Sequence, residues 1–155
     1  MEKSNFKSEM EQDKKHFEEK VIEIARVSRT VKGGKRIGFR ALVVVGDRQG
    51  KVGIGMGKSV EVSGAIKKAV SRAKKQMIEV DTDERGTIAK EVTCQFGAAK
   101  VLLRPAPEGT SIIAGGVVRA VCELAGIRNL VAKSLGSANK INSAKATILA
   151  LTQAR

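Results

Sequence analysis

The chain has no tryptophan, no tyrosine, two cysteines, two prolines and a single histidine in 155 residues. Each scarcity removes a class of protein. Readers of single-stranded nucleic acid stack bases on aromatic platforms, and four phenylalanines are a thin supply for that work. Cys94 and Cys122 form no Cys-x-x-Cys pair and the only histidine is His16, so neither a disulfide framework nor a four-ligand zinc site can be assembled. Both thiols read as small buried hydrophobes of a reducing compartment. No run of about twenty apolar residues is present, which excludes a helical membrane span, and the charged N-terminus is unlike a secretory signal. Binding to an anionic membrane surface needs amphipathic helices with aromatic anchors, which are also lacking. Nowhere do a nucleophile, a base and an orienting group fall into one pattern, so no enzyme, metal or cofactor is expected.

What the chain has in excess is positive charge, at +13 overall. Arg26 to Lys75 holds fourteen Lys or Arg against Asp47 and Glu61 alone, a local +12. Such a density calls for a polyanion, and structured RNA or duplex backbone suits a chain without stacking aromatics. With 42% hydrophobic residues the chain can bury one moderate core or two small ones.

Residues 1–17 mix Lys with acidic residues and read as a mobile charged extension, with His16 a solvated side chain. A first module is expected over 18–80. Glu18 to Ser28 alternates as a strand, and a basic loop from Thr30 to Arg36 follows, its Gly33-Gly34 permitting close backbone approach to a phosphate. Ile37 to Val45 alternates with Ile37, Phe39, Ala41, Val43 and Val45 on one face. Lys51 to Lys58 sets Val52, Ile54 and Met56 against Gly53, Gly55 and Gly57, a strand with one bare face on which another backbone can sit. Gly57-Lys58-Ser59 ends like a P-loop, but Val52 stands where that motif needs glycine, and the glycine spacing fails the dinucleotide fingerprint. Ser59 to Met77 is the clearest helix, with Val62, Ile66, Ala69, Val70, Ala73 and Met77 inward and a basic outer face.

The acidic run 81–86 reads as a linker, and 87–155 as a second module. Thr87 to Phe96 and Ala98 to Pro105 form an expected hairpin about Gly97. After a Pro-rich loop, Ile112 and Ile113 lead into a helix ending before Gly126, with Val117, Val118, Val121, Leu124 and Ala125 inward. Asn129 to Leu135 follows as a strand, then a final helix capped by Asn142 or Ser143 and anchored by Ile148, Leu149 and Leu151.

Several stretches have a familiar look: Arg26 through Arg36, Phe39-Arg40-Ala41, Val44 through Asp47, Gly50 through Gly55, Ala73-Lys74-Lys75, Arg104-Pro105-Ala106, Ile112 through Gly116 and Leu124 through Ile127. In this order they resemble the bacterial small-subunit ribosomal protein S-five family, from about Phe17 to the end. The resemblance implies an α+β fold: a double-stranded-RNA-binding-like domain of three strands and a helix, then an α/β domain with a left-handed βαβ crossover. It implies a structural, cytoplasmic, ribosome-bound protein that binds small-subunit rRNA, stabilises the junction of body and head and supports translational accuracy. Ribosomal proteins S-four and S-eight are the implied partners, the mRNA entry path lies nearby, and Ser28 to Arg36 comes next to the spectinomycin site. The expected rRNA-binding residues are Arg26, Arg29, Lys32, Gly33, Gly34, Lys35, Arg36, Arg40, Lys51, Lys58, Lys67, Lys68, Arg72, Lys74 and Lys75, with Arg104, Lys133 and Lys140 in the second module.

Two departures stand out. The family commonly has Gly-Thr-Gly where this chain has Gly109-Thr110-Ser111, and Asn-Pro-Ile-Asn where it has Asn139-Lys140-Ile141-Asn142. Many members also continue past the position of Arg155 as a tail directed toward S-eight, a contact not expected of these residues. Rival readings are a free-standing duplex-RNA or DNA-binding regulator and, more remotely, a phosphotransferase suggested by the glycine runs.

Overall fold

The computed structural model describes residues 17–155, so the extension expected at the N-terminus lies outside the described residues except for Phe17, which packs against the first module's helix side. The first sheet contains β1 (Glu18–Val31), β2 (Gly34–Gly46) and β3 (Lys51–Ser59), all antiparallel. Helix α1 (Val62–Lys75) covers one face, and a two-residue β4 (Ile78–Glu79) extends the expected three strands by pairing with the start of β3. The second sheet runs β5 (Val92–Phe96), β6 (Ala99–Pro105), β8 (Leu130–Gly136), β7 (Ile112–Ile113) in spatial order. Only β7 and β8 are parallel, joined through helix α2 (Gly116–Ala125), and α3 (Lys140–Gln153) closes the chain. This is the α+β class expected, with a parallel βαβ unit in the second module.

The glycine stripe of β3 explains how α1 is seated. A Cβ on Gly53 would come within 2.5 Å of the Ala73 carbonyl oxygen, and one on Gly55 or Gly57 would collide with the carbonyls of Ala69 or Ala65. The helix answers with Ala65, Ala69 and Ala73, all fully buried, so two backbones meet with almost nothing between them. Ala65 completes an inner face on which Met77 was expected; Met77 instead lies just past the helix end.

Strand β2 departs from simple alternation. Ala41, Val43 and Val45 pack under α1, while Val44 joins Val52, Val80 and the second module in one continuous core. Both faces of residues 41–46 are buried. The two modules are also tied through the β2–β3 turn, where the Arg48 and Gly50 amides donate to the Leu124 and Ala125 carbonyls at the open end of α2, both at 3.0 Å. These are carbonyls a helix end leaves without intrahelical partners. A one-residue bulge between Val21 and Glu23 brings Ile22 against the shared core.

Residues 81–86 make a pinned turn. Asp83 Oδ1 accepts from the Arg85 and Thr87 amides, and the Gly86 carbonyl accepts from Arg128 and Asn129 at 2.8 and 3.0 Å. Buried Asn129 bridges this turn to the next loop, donating to the Arg85 carbonyl and accepting from the Ser111 amide. Ser111 itself has φ 65°, the left-handed region glycine enters freely, at the position where the family resemblance has glycine.

Four expectations are corrected. Residues 87–91 precede β5 without joining it, because buried Thr87 and Ile88 anchor the turn instead of pairing. Ile112 and Ile113 form their own strand. The cap of α3 is Asn139, not Asn142 or Ser143: its side-chain oxygen accepts from the Ile141 and Asn142 amides at 3.0 and 3.3 Å, and its carbonyl accepts from Ser143. Leu149 is 40% exposed and does not anchor the helix; Leu151 does, with Ala144, Ala146 and Ala150. Leu149 lines a cleft of about 520 Å³ between the modules, with Met56, Phe96 and Ile148.

Candidate nucleic-acid interface

The expected basic loop is smaller than its sequence suggests and the structure that carries it is longer. Val31 pairs with Gly34, leaving Lys32 and Gly33 as a two-residue turn, with φ of 93° at Gly33. Thr30 and Lys35, then Arg29 and Arg36, are paired strand residues. The turn has positive φ at Gly33 but not at Lys32, and the two strands stay paired right up to it. Pairing of β2 to β3 stops at Phe39–Ser59, so residues 27–31 and 34–38 stand out as a two-stranded ribbon. At about 3.4 Å per residue it projects roughly 17 Å beyond the sheet.

The register sorts the ribbon's cations by face. Arg26 and Lys35 lie on the α1 side, Arg29 and Arg36 on the other, and Lys32 at the tip. Arg29 sits directly across from Arg36, and four residues along β2, on the same face, Arg40 sits across from Lys58. Like charges placed opposite one another destabilise a strand pair by some tenths of a kcal/mol. Among the described residues only Arg40 is relieved, by Glu23 at 4.0 Å. Among the described residues no carboxylate lies within 4 Å of Arg26, Arg29, Lys32, Lys35, Arg36 or Lys58. The two cation pairs stand about 14 Å apart on one face, the first in the ribbon and the second in the sheet that carries it.

Helix α1 adds a second bank. Lys67, Lys68, Arg72 and Lys75 are exposed, while Lys74 is half-buried against Glu19 at 3.8 Å. Lys68 and Arg72 also reach over the open edge of β3 and donate to the carbonyls of Lys58 and Met56, at 3.2 and 2.8 Å. Lys51 is exposed at the far end of β3, away from the ribbon.

The second module divides its three expected residues. Lys140, at the start of α3, shares Glu23 with Arg40 at 4.0 Å and so joins the base of the ribbon. Arg104 pairs with Glu91 at 3.3 Å and Lys133 stands in β8; both belong to the outer face of the second sheet, which the ribbon does not touch. Two cations were missed. Lys100 shares that outer face, a position the alternation Lys100-Leu102-Arg104 in β6 could have revealed. Lys145 lies 5.1 Å from the Phe96 ring at the cleft, a contact with no local sequence signal.

Elsewhere the charges are structural. Glu123 on α2 is held below the usual carboxylate range by its hydrogen bond from Arg119 at 3.0 Å, aided by Lys20 at 3.6 Å and opposed by partial burial. Cys94 and Cys122 are free and buried, and burial pushes the Cys122 thiol up to about 12, with Glu123 adding to the rise. Among the described residues no cluster of potential metal ligands occurs, and no helix is long and apolar enough to cross a membrane.

Comparison with known proteins agrees in both modules. Residues 17–81 match the family described as Ribosomal protein S5, N-terminal domain, and residues 94–155 match Ribosomal protein S5, C-terminal domain. The small ribosomal subunit protein uS5c of Cyanidium caldarium is 52% identical over 137 residues, 88% of this chain and 82% of the relative. The uS5 protein of Picosynechococcus is 47% identical over 155 residues, covering 100% of this chain and 90% of the relative. That of Ruegeria pomeroyi is 55% identical over 132 residues, 85% and 70% of the two chains. A basic two-stranded ribbon, a helix laid on a glycine stripe and this breadth of identity converge: the chain belongs to the ribosomal protein S5 family.

Proposed function

We propose that this chain is a non-enzymatic structural component of the small ribosomal subunit and holds small-subunit rRNA with its β1–β2 ribbon and the basic face of α1. The observation that carries the reading is the pair of like-charge rungs, Arg29 with Arg36 and Arg40 with Lys58, of which only Arg40 has a carboxylate within 4 Å among the described residues. Arg26, Lys32, Lys35 and the open backbone at Gly33 and Gly34 extend the contact around the tip, and Lys67, Lys68, Arg72, Lys74 and Lys75 extend it along the helix. Lys140 joins at the ribbon's base and Lys51 at its periphery, with Arg104 and Lys133 a separate group. Each phosphate contact releases condensed cations, and specificity comes from the shape of folded RNA. The modules are taken as 18–80 and 87–155, with 81–86 the link.

Finer assignments follow the family likeness. The tip formed by Ser28 to Arg36 reaches the junction of head and body beside the spectinomycin site, and the chain neighbours ribosomal proteins S-four and S-eight near the mRNA entry path, in support of decoding accuracy. Its relatives include bacterial proteins, which favours the cytoplasm as the site of the ribosome it serves.

The test is a salt titration of binding to a small-subunit rRNA fragment. Replacing Lys32, Lys35 and Arg36 with Glu should lower the slope of log K against log salt by about 2–3 units, at roughly 0.9 per lost contact. An unchanged slope refutes the ribbon as a phosphate contact.

A further inference from the structure

Helix α1 is seated over β2 and β3, so β1, at the edge of the first sheet, is left largely uncovered on the helix side. The register puts Val21, Ile24 and Ile37 on that face, across from Val43, Ala41 and Ser28. They are 40%, 44% and 43% exposed, with Phe39 and Ile66 half-buried beside them. Three large apolar side chains thus form one strip without a partner among the described residues. Cations rim it. Arg26 stands in the rung between Ile24 and Ile37, and on α1 Lys67 shares the flank of Lys74, whose ion pair with Glu19 at 3.8 Å marks the side turned toward β1. No carboxylate lies within 4 Å of Arg26 or Lys67 among the described residues. Phe17 enters at one end of the strip, packed against the apolar cluster under α1.

The sequence places sixteen residues before Phe17. Phe6 and Met10 stand four positions apart there, a spacing that puts both on one face of a helix or of a strand, and Glu9, Glu11 and Asp13 flank Met10. At about 3.4 Å per residue Val21 and Ile24 lie roughly 14 and 24 Å along β1 from Phe17, and the seven and eleven residues back to Met10 and Phe6 span at most about 24 and 37 Å. Both side chains come within range of the strip. We infer that residues 1–16 fold back on β1, laying Met10 and Phe6 over Val21 and Ile24 and setting their carboxylates beside Arg26 and Lys67, in place of the mobile extension expected of their charge. The strip runs about seven residues by two strand spacings of about 4.8 Å, roughly 230 Å² in plan, well below the ~800 Å² per partner of a free-standing complex. A second copy of the chain or a separate protein gains too little there to stay bound, whereas a segment tethered at Phe17 meets the strip at an effective concentration of about millimolar. RNA would satisfy Arg26 and Lys67 but leave aliphatic side chains against sugar and phosphate. The inference does not depend on which nucleic acid the ribbon contacts, and docking would withdraw from the free chain an apolar surface of the kind that promotes association.

The experiment uses the free full chain carrying p-benzoylphenylalanine in place of Ile24 or, in a second protein, Val21, irradiated in dilute solution. The expected result is a crosslink within one molecule, independent of protein concentration and mapped to a peptide within residues 4–14. A crosslink that rises with concentration and joins two copies, one confined to residues 17–155, or none at either position overturns the inference. In a second arm, Phe6→Asp with Met10→Asp should lower the crosslink yield by about tenfold or more, since burial of two large apolar side chains is what holds the segment, while Phe6→Leu with Met10→Leu should keep it. These substitutions lie before the first strand, so the folded modules remain to report on. Equal yields from the Asp and Leu pairs refute the apolar contact. Glu9→Gln, Glu11→Gln and Asp13→Gln together should lower the yield about threefold in dilute salt and by much less at 1 M, where exposed charges are screened; the same yield as the unsubstituted segment in dilute salt refutes the charge complementarity with Arg26 and Lys67.

Discussion

Gly55→Ala adds one methyl group at the point of closest approach between β3 and α1. The new Cβ would collide with the Ala69 carbonyl and lie 2.6 Å from the Ala73 amide nitrogen, about 1 Å inside ordinary contact. Both obstacles are helix backbone, which cannot rotate away as a side chain would. The helix must lift by about that distance, and the gap then opens along the whole stripe, weakening the Ala65 and Ala73 contacts over Gly57 and Gly53. Overpacking a tight core costs about 1–3 kcal/mol, and an obstacle made of backbone places this substitution at the upper end. At about 2–4 °C per kcal/mol for a chain of this size, 3 kcal/mol lowers the melting temperature by roughly 6–12 °C. Differential scanning calorimetry reads this directly, with Gly116→Ala as the control: that glycine has no neighbour within 4 Å of an added Cβ and begins a helix. The control should stay within about 0.5 kcal/mol of the unsubstituted protein. The seating argument is wrong if Gly55→Ala melts with its control.

Four further outcomes are expected. Ser111→Gly should raise stability by about 0.5–1 kcal/mol in a urea titration, since it removes the strain of a left-handed serine at some cost in chain entropy; a loss would show that the Ser111 side chain contributes more than its backbone costs. Asn139→Ala should cost about 1 kcal/mol by removing the cap of α3, whereas Asn142→Ala should leave the capping intact, and equal losses would contradict the cap assignment. For the titrating groups, the depressed Glu123 carboxyl contributes stability above the ordinary carboxylate range that is lost as pH falls, so Glu123→Gln should narrow its deficit toward acid; the raised Cys122 thiol contributes stability below the ordinary thiol range that is lost as pH climbs toward about 12, and it should resist thiol reagents until denaturant is added.

Residue chemistry made much of this legible beforehand. Alternation of Val52, Ile54 and Met56 with three glycines marks a strand with a bare face on which another backbone can sit, but the helical spacing does not single out Ala65, Ala69 and Ala73 as what lies there. The ribbon was harder to see. Its residues are charged on both faces, so the period of two that betrays a half-buried strand is absent, and Thr30 to Arg36, with five of seven positions Lys, Arg or Gly, reads as a loop. The burial of β2 on both faces had a signal that alternation concealed: Ala41 through Val45 is a continuous apolar run, the mark of a strand covered on each side. Docking of the β2–β3 turn on the end of α2 had none, because amides donating to distant carbonyls leave no imprint on side-chain pattern. For the site, composition located the cations, but only the register could separate the rungs of the ribbon from Arg104 and Lys133 on another sheet.

The two basic side chains lying over the free edge of β3 have a consequence for the molecule before it meets RNA. An uncovered strand edge is a template on which a second copy can add strand to strand. Arg72 and Lys68 occupy the Met56 and Lys58 carbonyls on that edge and surround them with positive charge. An approaching twin would have to displace those bonds and bring a second cationic edge beside the first. The same residues that favour a polyanion thus discourage self-association during the interval between synthesis and assembly, when the chain is newly made and its nucleic acid is not yet in place.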